Sequence, residues 1–271
     1  MTDKPSTTLV YYPESDGQPM TESDATRDSL TYCVEALQLY FQGRRNVYVS
    51  GNMFIYYEKG NNRAVVSPDV FVVFGVGKRK RRTYKTWLED NILPSFVLEV
   101  TSLTTKKQDE IDKPKLYASL GVQEYFQYDP TADYLNPQLK GSRLVDGSYQ
   151  PMPLQVLNDG TPYIYSQVLG LDLRLQVPNP LLSLVPNPIA RDLRLYDPQS
   201  GAILLNYREM DQARSEAEQA RSEAEQARLE AEQARLEAIP RLLEMGLTSE
   251  QIAIALNLAI EEVQLYQATS D

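Results

Sequence analysis

Ser67 to Gly75 reads SPDVFVVFG, and Pro94 to Ser102 reads PSFVLEVTS. Both runs are dominated by Val, Phe and Leu, the composition of strands buried on both faces. Each carries one acid, Asp69 behind Pro68 and Glu99 inside the apolar run. A charge buried on such a strand costs several kcal/mol unless something pairs with it. The two acids are thirty residues apart in the chain with a loop between them. Neighbouring strands would therefore bring them together. Asp69, Glu99 and the backbone carbonyl of Val100 then form an oxygen-only donor set of the kind that holds Mg²⁺ or Mn²⁺. Such an ion activates water and stabilises charge developing on a phosphoryl group, and a nearby lysine orients the water or neutralises the phosphate. A purely structural alternative stands beside this one. Asp69 would cap a strand or turn, and Glu99 would pair with Lys113 in a structural ion pair.

Outward from these strands the pattern is α/β. Leu30, Cys33, Val34, Leu37, Tyr40 and Phe41 recur at helical spacing, which predicts a helix from Glu22 to Phe41, capped by Ser23 or Asp24 and ended at Gly43. Val47–Tyr57 and Ala64–Phe74 read as strands joined at Gly60-Asn61-Asn62, a hairpin. The run Lys78-Arg79-Lys80-Arg81-Arg82 follows as a loop, with Lys85 beyond it. It is either a solvated face or a phosphate-contacting surface. Ser95–Thr101 is expected as a central strand. Lys106–Leu120 is expected as a helix, regular from about Pro114 and closed by Gly121, and Val122–Tyr128 as the next strand. Ser142–Tyr149, Leu171–Val177 and Leu193–Tyr196 suggest added β-hairpins.

From Ala213 a seven-residue unit repeats as ARSEAEQ, ARSEAEQ, ARLEAEQ and ARLEA. Alanines at alternating spacings of four and three give the a/d seam of a coiled coil, roughly 39 Å long. An alanine seam buries little area, so pairing with a second copy through residues 213–238 is expected; packing against its own domain and a solvated spacer helix are the alternatives. Pro240 is expected to start a last helical unit. Its Thr248 and Gln251 have capping-box spacing, its apolar face is Ile252, Ala255 and Leu256, and a helix spans Ile260–Gln267. That unit resembles a helix-turn-helix, but IEEVQLYQ has two acids and no base, the wrong sign for reading phosphates. The expected organisation is a flexible lead-in at 1–20, an α/β domain at 21–206, a coiled coil at 207–239 and a helical unit at 240–271.

Composition removes whole classes of chemistry. The 271 residues include no histidine and one cysteine, Cys33. A Ser-His-Asp triad, a histidine base, a cysteine zinc site and an internal disulfide are all excluded. The formal charge of −10 is uneven. Nine acids face six arginines from Tyr207 to Arg241, and five acids with no base follow. The acidity therefore belongs mostly to the C-terminal region and does not exclude a polyanionic ligand for the front domain. No apolar run has membrane-spanning length, and the N-terminal residues lack the pattern of a signal peptide, so a cytoplasmic location is expected.

One further motif completes the set. After SPDVFVVFG and PSFVLEVTS comes D-x-x-x-K-x-x-x-Y-x-x-x-GV-x-EY, from Asp109 to Tyr125. Through Pro68, Asp69, Glu99, Ser102, Asp109, Lys113, Tyr117, Gly121, Val122, Glu124, Tyr125, Asp129 and Pro130, residues 20–205 resemble the Uma-two family of restriction endonucleases within the PD-(D/E)XK nuclease superfamily. The resemblance implies a restriction-endonuclease-like mixed β-sheet core flanked by helices. It implies a Mg²⁺- or Mn²⁺-dependent endonuclease acting on DNA, with Asp69 and Glu99 on the metal and Lys113 assisting the attacking water. Lys78–Arg82 would then contact phosphates beside the cleft, and a homodimer would let two sites cut two strands. The chain departs from the pattern at two places. The superfamily lysine, two residues after the glutamate, is Thr101 here, and Lys113 takes its place, with Lys115 the near alternative. Relatives often carry a histidine in the first helix where this chain has Thr26; Glu22 and Glu35 are candidate supporting acids there. A non-catalytic nucleic-acid-binding protein, or a coiled-coil assembly protein that keeps the fold, are the other readings.

Overall fold

A computed structural model describes residues 10–14, 23–101, 112–178 and 189–270. Glu22, Ser102, Asp109 and most of the lead-in expected as flexible lie outside the described residues. In chain order the elements are α1 (Asp24–Tyr40), β1 (Val47–Ser50), β2 (Ile55–Tyr56), β3 (Val65–Val66), β4 (Val70–Phe74), β5 (Tyr84–Lys85), β6 (Phe96–Val100), α2 (Lys113–Ser119) and β7 (Glu124–Tyr128). There follow β8 (Leu139–Val145), β9 (Ser148–Met152), β10 (Gln155–Val156), β11 (Pro162–Ser166), β12 (Leu171–Gln176), β13 (Asp192–Tyr196), α3 (Tyr207–Glu244), α4 (Ser249–Leu256) and α5 (Ile260–Ser270). The chain divides into two units at Tyr207.

The first unit is built on a six-stranded mixed sheet in the order β1-β4-β6-β7-β8-β9. β6 is central, with every residue buried, as an unbroken FVLEV run requires. It pairs antiparallel with β4 and parallel with β7. One face of this sheet packs on α1. Val49, Val72, Phe96, Leu98 and Phe126 meet Cys33, Ala36, Leu37 and Phe41 there, and the same core takes in Leu171, Leu173, Leu193 and Leu195 of the second sheet, β10-β11-β12-β13. The Tyr32 hydroxyl ties these layers, donating to the Leu204 carbonyl and accepting the Leu195 N–H, each at 2.9 Å. On the opposite face Phe71, Val73, Val97 and Tyr125 pack with Tyr117 of α2.

The expected hairpin between Val47 and Phe74 forms, but it is split. β1 pairs with β4 and β2 with β3 in one continuous antiparallel register, interrupted at Gly51–Phe54 and Ser67–Asp69. Pro68 has no N–H to give the ladder. Gly51 lies so close to its neighbour that a Cβ there would sit 2.1 Å from the Asp69 carbonyl oxygen. The outer piece joins β5 in a small sheet, β3-β2-β5. The segment Tyr11–Pro13 is tied to it: the Tyr56 hydroxyl donates to the Pro13 carbonyl at 2.6 Å, and Gly60 N–H donates to the Tyr12 hydroxyl at 2.6 Å.

Ser142–Tyr149, expected among the added β-hairpins, lies within the hairpin of β8 and β9. Asp146 and Gly147, at φ 48° and 77°, make its two-residue turn. Helix α2 ends in a Schellman motif: Val122 N–H reaches the Tyr117 carbonyl and Gly121 N–H the Ala118 carbonyl, each at 3.0 Å, with Gly121 at φ +77°.

In the second unit α3 is one helix of 38 residues, whose side chains are exposed throughout the heptad segment up to Arg235. It runs through Pro240 rather than stopping there. Leu236, Ile239, Leu242 and Leu243 pack with Ile252, Ala253 and Val263, which offsets the hydrogen bond proline withholds. The capping box of Thr248 and Gln251 is formed. Ala253, not Ala255, joins Ile252 in the buried face. No helix among the described residues is long and apolar enough to cross a membrane.

Candidate active site

Register brings the two acids together. β4 and β6 align Val70 with Leu98 and Phe71 with Val97, so one further step sets Asp69 opposite Glu99. Both side chains stand on the α2 face of the sheet, since Phe71 and Val97, two residues from each, pack there. Asp69 Oδ2 accepts the Val100 N–H at 2.8 Å. In an extended strand the N–H and C=O of one residue point to the same side, so the Val100 carbonyl also opens toward Asp69.

Helix α2 supplies the rest. Lys113 and Tyr117 are four residues apart, one turn along the same helical face. Lys113 Nζ lies 3.0 Å from Glu99 Oε2, and the Tyr117 hydroxyl donates to Glu99 Oε1 at 2.8 Å. Glu99 is fully buried and Tyr117 nearly so. Lys115, the other candidate lysine, is exposed.

The electrostatics reflect two acids sharing one cation. Burial pushes the Asp69 carboxyl well above the ordinary carboxylate range, and the facing charge of Glu99 pushes the same way; Lys113 and the Val100 N–H oppose them. Burial, with Glu99 beside it, also holds the Tyr117 phenol well above its usual value, so it stays a donor. Thr101, on the Glu99 face by strand alternation, is buried with its hydroxyl oxygen making no hydrogen bond among the described residues.

These features fit a hard divalent cation. Two hard carboxylates are set together, one already raised by the other's charge, with an orphaned buried hydroxyl on the same face. Among the described residues no group of three or more His, Cys, Asp or Glu side chains gathers, so such an ion would rely on the two carboxylates, backbone oxygen and water.

The first-helix candidates fall elsewhere. α1 packs on the opposite face of the sheet. Its Glu35 accepts the Tyr207 N–H at 3.3 Å, and Thr26 bonds Ser23 at the N-cap.

The basic run also lies away from the carboxylates. It leaves β4 at Phe74, five residues from Asp69, or roughly 17 Å along a strand. Two of its members are engaged in holding the loop. Lys78 caps α1 through the carbonyls of Phe41 and Gln42, the latter at 2.9 Å. Arg81 makes a two-pronged pair with Glu89, at 2.9 and 3.0 Å, and stacks 4.2 Å above the Tyr48 ring. Arg79 pairs with the same Glu89, and Arg82 with Glu14 at 2.8 Å. Both of these arginines and Lys80 are exposed.

Sequence reasoning assigned no role to Tyr117. Its spacing of four from Lys113 was the available signal, legible once that helix was known to face Glu99.

Fold and site together define an α/β protein with an acidic, oxygen-rich site at the end of the central strand of a mixed sheet. Residues 11–178 match the family model described as "Uma2: Putative restriction endonuclease", and the chain belongs to that family. The matched span contains Asp69, Glu99, Lys113 and Tyr117 and ends before α3. Among solved structures, a "putative nuclease belonging to DUF820" from Anabaena variabilis ATCC 29413 is similar at 12% identity, over 54% of this chain and 80% of that one, with a TM-score of 0.35. A likeness that slight carries no structural argument. No curated protein matches the chain.

Proposed function

We propose that this protein is a metal-dependent endonuclease that hydrolyses phosphodiester bonds in DNA. The observation that carries the proposal is Asp69 facing Glu99 across β4 and β6 with the Lys113 ammonium on the same carboxylate, in a chain of the Uma2 family. Asp69, Glu99 and the Val100 carbonyl would hold Mg²⁺ or Mn²⁺. When bound, the ion supplies Lewis-acid stabilisation of the phosphoryl oxygens and a water of lowered pKa. Lys113, partly exposed beside Glu99, donates to the attacking water or to a non-bridging phosphate oxygen. Water adds to phosphorus, the bond to the leaving sugar oxygen breaks, and that oxygen takes up a proton. Arg79, Lys80 and Arg82 would track the backbone about five nucleotides from the scissile phosphate, given the strand distance above.

The active form is proposed to be a cytoplasmic homodimer joined through residues 213–238. Charge supports a parallel pair. With Ala213 at d, every e position is arginine (214, 221, 228, 235) and every g position is glutamate (216, 223, 230, 237). Parallel helices bring g of one copy against e of the other, opposite charges at every step. Antiparallel helices would oppose like with like.

Cleavage of supercoiled plasmid with Mg²⁺ or Mn²⁺ tests the catalytic reading. Nicking or linearisation by the wild type, lost in both Glu99→Gln and Lys113→Ala, is the expected result. No cleavage with either metal, or equal cleavage by all three proteins, overturns it in favour of a non-catalytic binding or assembly role.

A further inference from the structure

Helix α2 reaches Glu99 with two side chains: the Tyr117 hydroxyl donates to Oε1 at 2.8 Å, and Lys113 Nζ forms an ion pair 3.0 Å from Oε2. The two grips differ in stiffness. Lys113 reaches Glu99 on a flexible stem, with a quarter of its side chain exposed. Tyr117 is fixed at three points. Its ring is buried in the cluster that includes Phe71, Val97 and Val122 and lies 5.5 Å from the Tyr125 ring. Its carbonyl is held by Val122 N–H in the Schellman turn. Its hydroxyl is on Glu99. A carboxylate on a strand has free χ angles of its own, and one held through a rigid ring has few left.

We propose that Tyr117 is a positioning residue that fixes the rotamer of Glu99, so that the carboxylate is preset toward Asp69 for a divalent cation. The inference rests on the metal-site reading above and assigns a residue that reading does not use. Tyr117 itself touches neither ion nor substrate. Outer-shell donors of this kind typically change metal affinity by about 10–100-fold.

The test is a calorimetric Mn²⁺ titration of the full chain, with melting followed in parallel. Tyr117→Phe keeps the ring and removes the donor; Tyr117→Met serves if the phenylalanine is not tolerated. Tyr149→Phe is the control for a merely structural hydroxyl, because it deletes a 2.8 Å bond to the Val122 carbonyl beside the same aromatic stack. Expected is Mn²⁺ binding weakened about 10–100-fold in the Tyr117 variant and unchanged in the Tyr149 variant. Wild-type-like or tighter binding by Tyr117→Phe overturns the proposal while leaving Asp69 and Glu99 as ligands. Equal weakening in both variants overturns it as a general loss of structure. Absence of Mn²⁺ binding by the wild type overturns this inference and the metal site together.

Discussion

Glu99 and Glu124 stand on adjacent parallel strands, β6 and β7, and both are wholly buried. Their surroundings differ in one respect. Glu124 meets Arg143 at 2.8 Å, the Ser166 hydroxyl and the Gln167 N–H at 3.0 Å, with no second acid bonded to it among the described residues. Its charge is cancelled and its oxygens are satisfied. Glu99 shares Lys113 with Asp69 directly opposite, so among the described residues two acids face one lysine. Burial alone therefore does not mark a working acid, because a structural carboxylate is buried just as deeply. The mark is surplus negative charge, kept where a neutral pair would fold more stably. The fold tolerates that surplus at Asp69 and nowhere around Glu124.

The comparison can be broken at either acid. Arg143→Leu strips from Glu124 the cation paired with it and leaves a buried charge. We expect a loss of about 3 kcal/mol in urea unfolding, the low end for a broken buried pair because Arg143 is a third exposed. If stability is unchanged, Glu124 is not the cancelled structural acid described here. Gly51→Ala strikes the other side. The added methyl would press on the Asp69 backbone and on Val34, so Asp69 must move. The cost should be about 1–3 kcal/mol, and plasmid cleavage should fall further than stability does. The exposed acids of α3 mark the bottom of the scale, since each e–g pair is worth only about 0.2–1 kcal/mol and is screened by salt. Replacing Arg214, Arg221, Arg228 and Arg235 by glutamate should weaken the dimer in sedimentation at low salt. Cysteine at Met210, an a position, should cross-link two copies only if they run parallel.

How far the sequence reaches follows the same physics. The strands bearing Asp69 and Glu99 were legible because their apolar runs left each acid conspicuous, and the heptad was legible because its period is exact to the residue. Lys113 could be named, although Lys115 competed until the helical face was known. Two features were hidden. The split of the β1–β4 hairpin depends on Gly51 approaching Asp69, a tertiary contact. The true employment of Lys78 and Arg81, a helix cap and a stacked ion pair, depends on Phe41, Gln42, Glu89 and Tyr48, which only folding brings near. A run of five cations looks like one surface in sequence and divides into anchors and exposed heads in space.

Asp69 and Glu99 are a buried pair of acids in which a proton on Asp69 stands where a divalent cation would bind. That pair implies a signed dependence on pH. Asp69 is raised above its unfolded value, so the folded protein binds the extra proton. The contribution of Asp69 to stability should be fully present below the ordinary aspartate pKa and be lost as pH rises through the raised one, because the folded state must then give up a proton the unfolded state has already lost. The decisive measurement is urea unfolding of the wild type and Asp69→Asn across that range, first in chelator and then with Mn²⁺. Expected is that the stability of the wild type relative to Asp69→Asn falls with rising pH in chelator, and that Mn²⁺ restores the wild type alone. Identical pH slopes for both proteins, with no response to Mn²⁺, would contradict it.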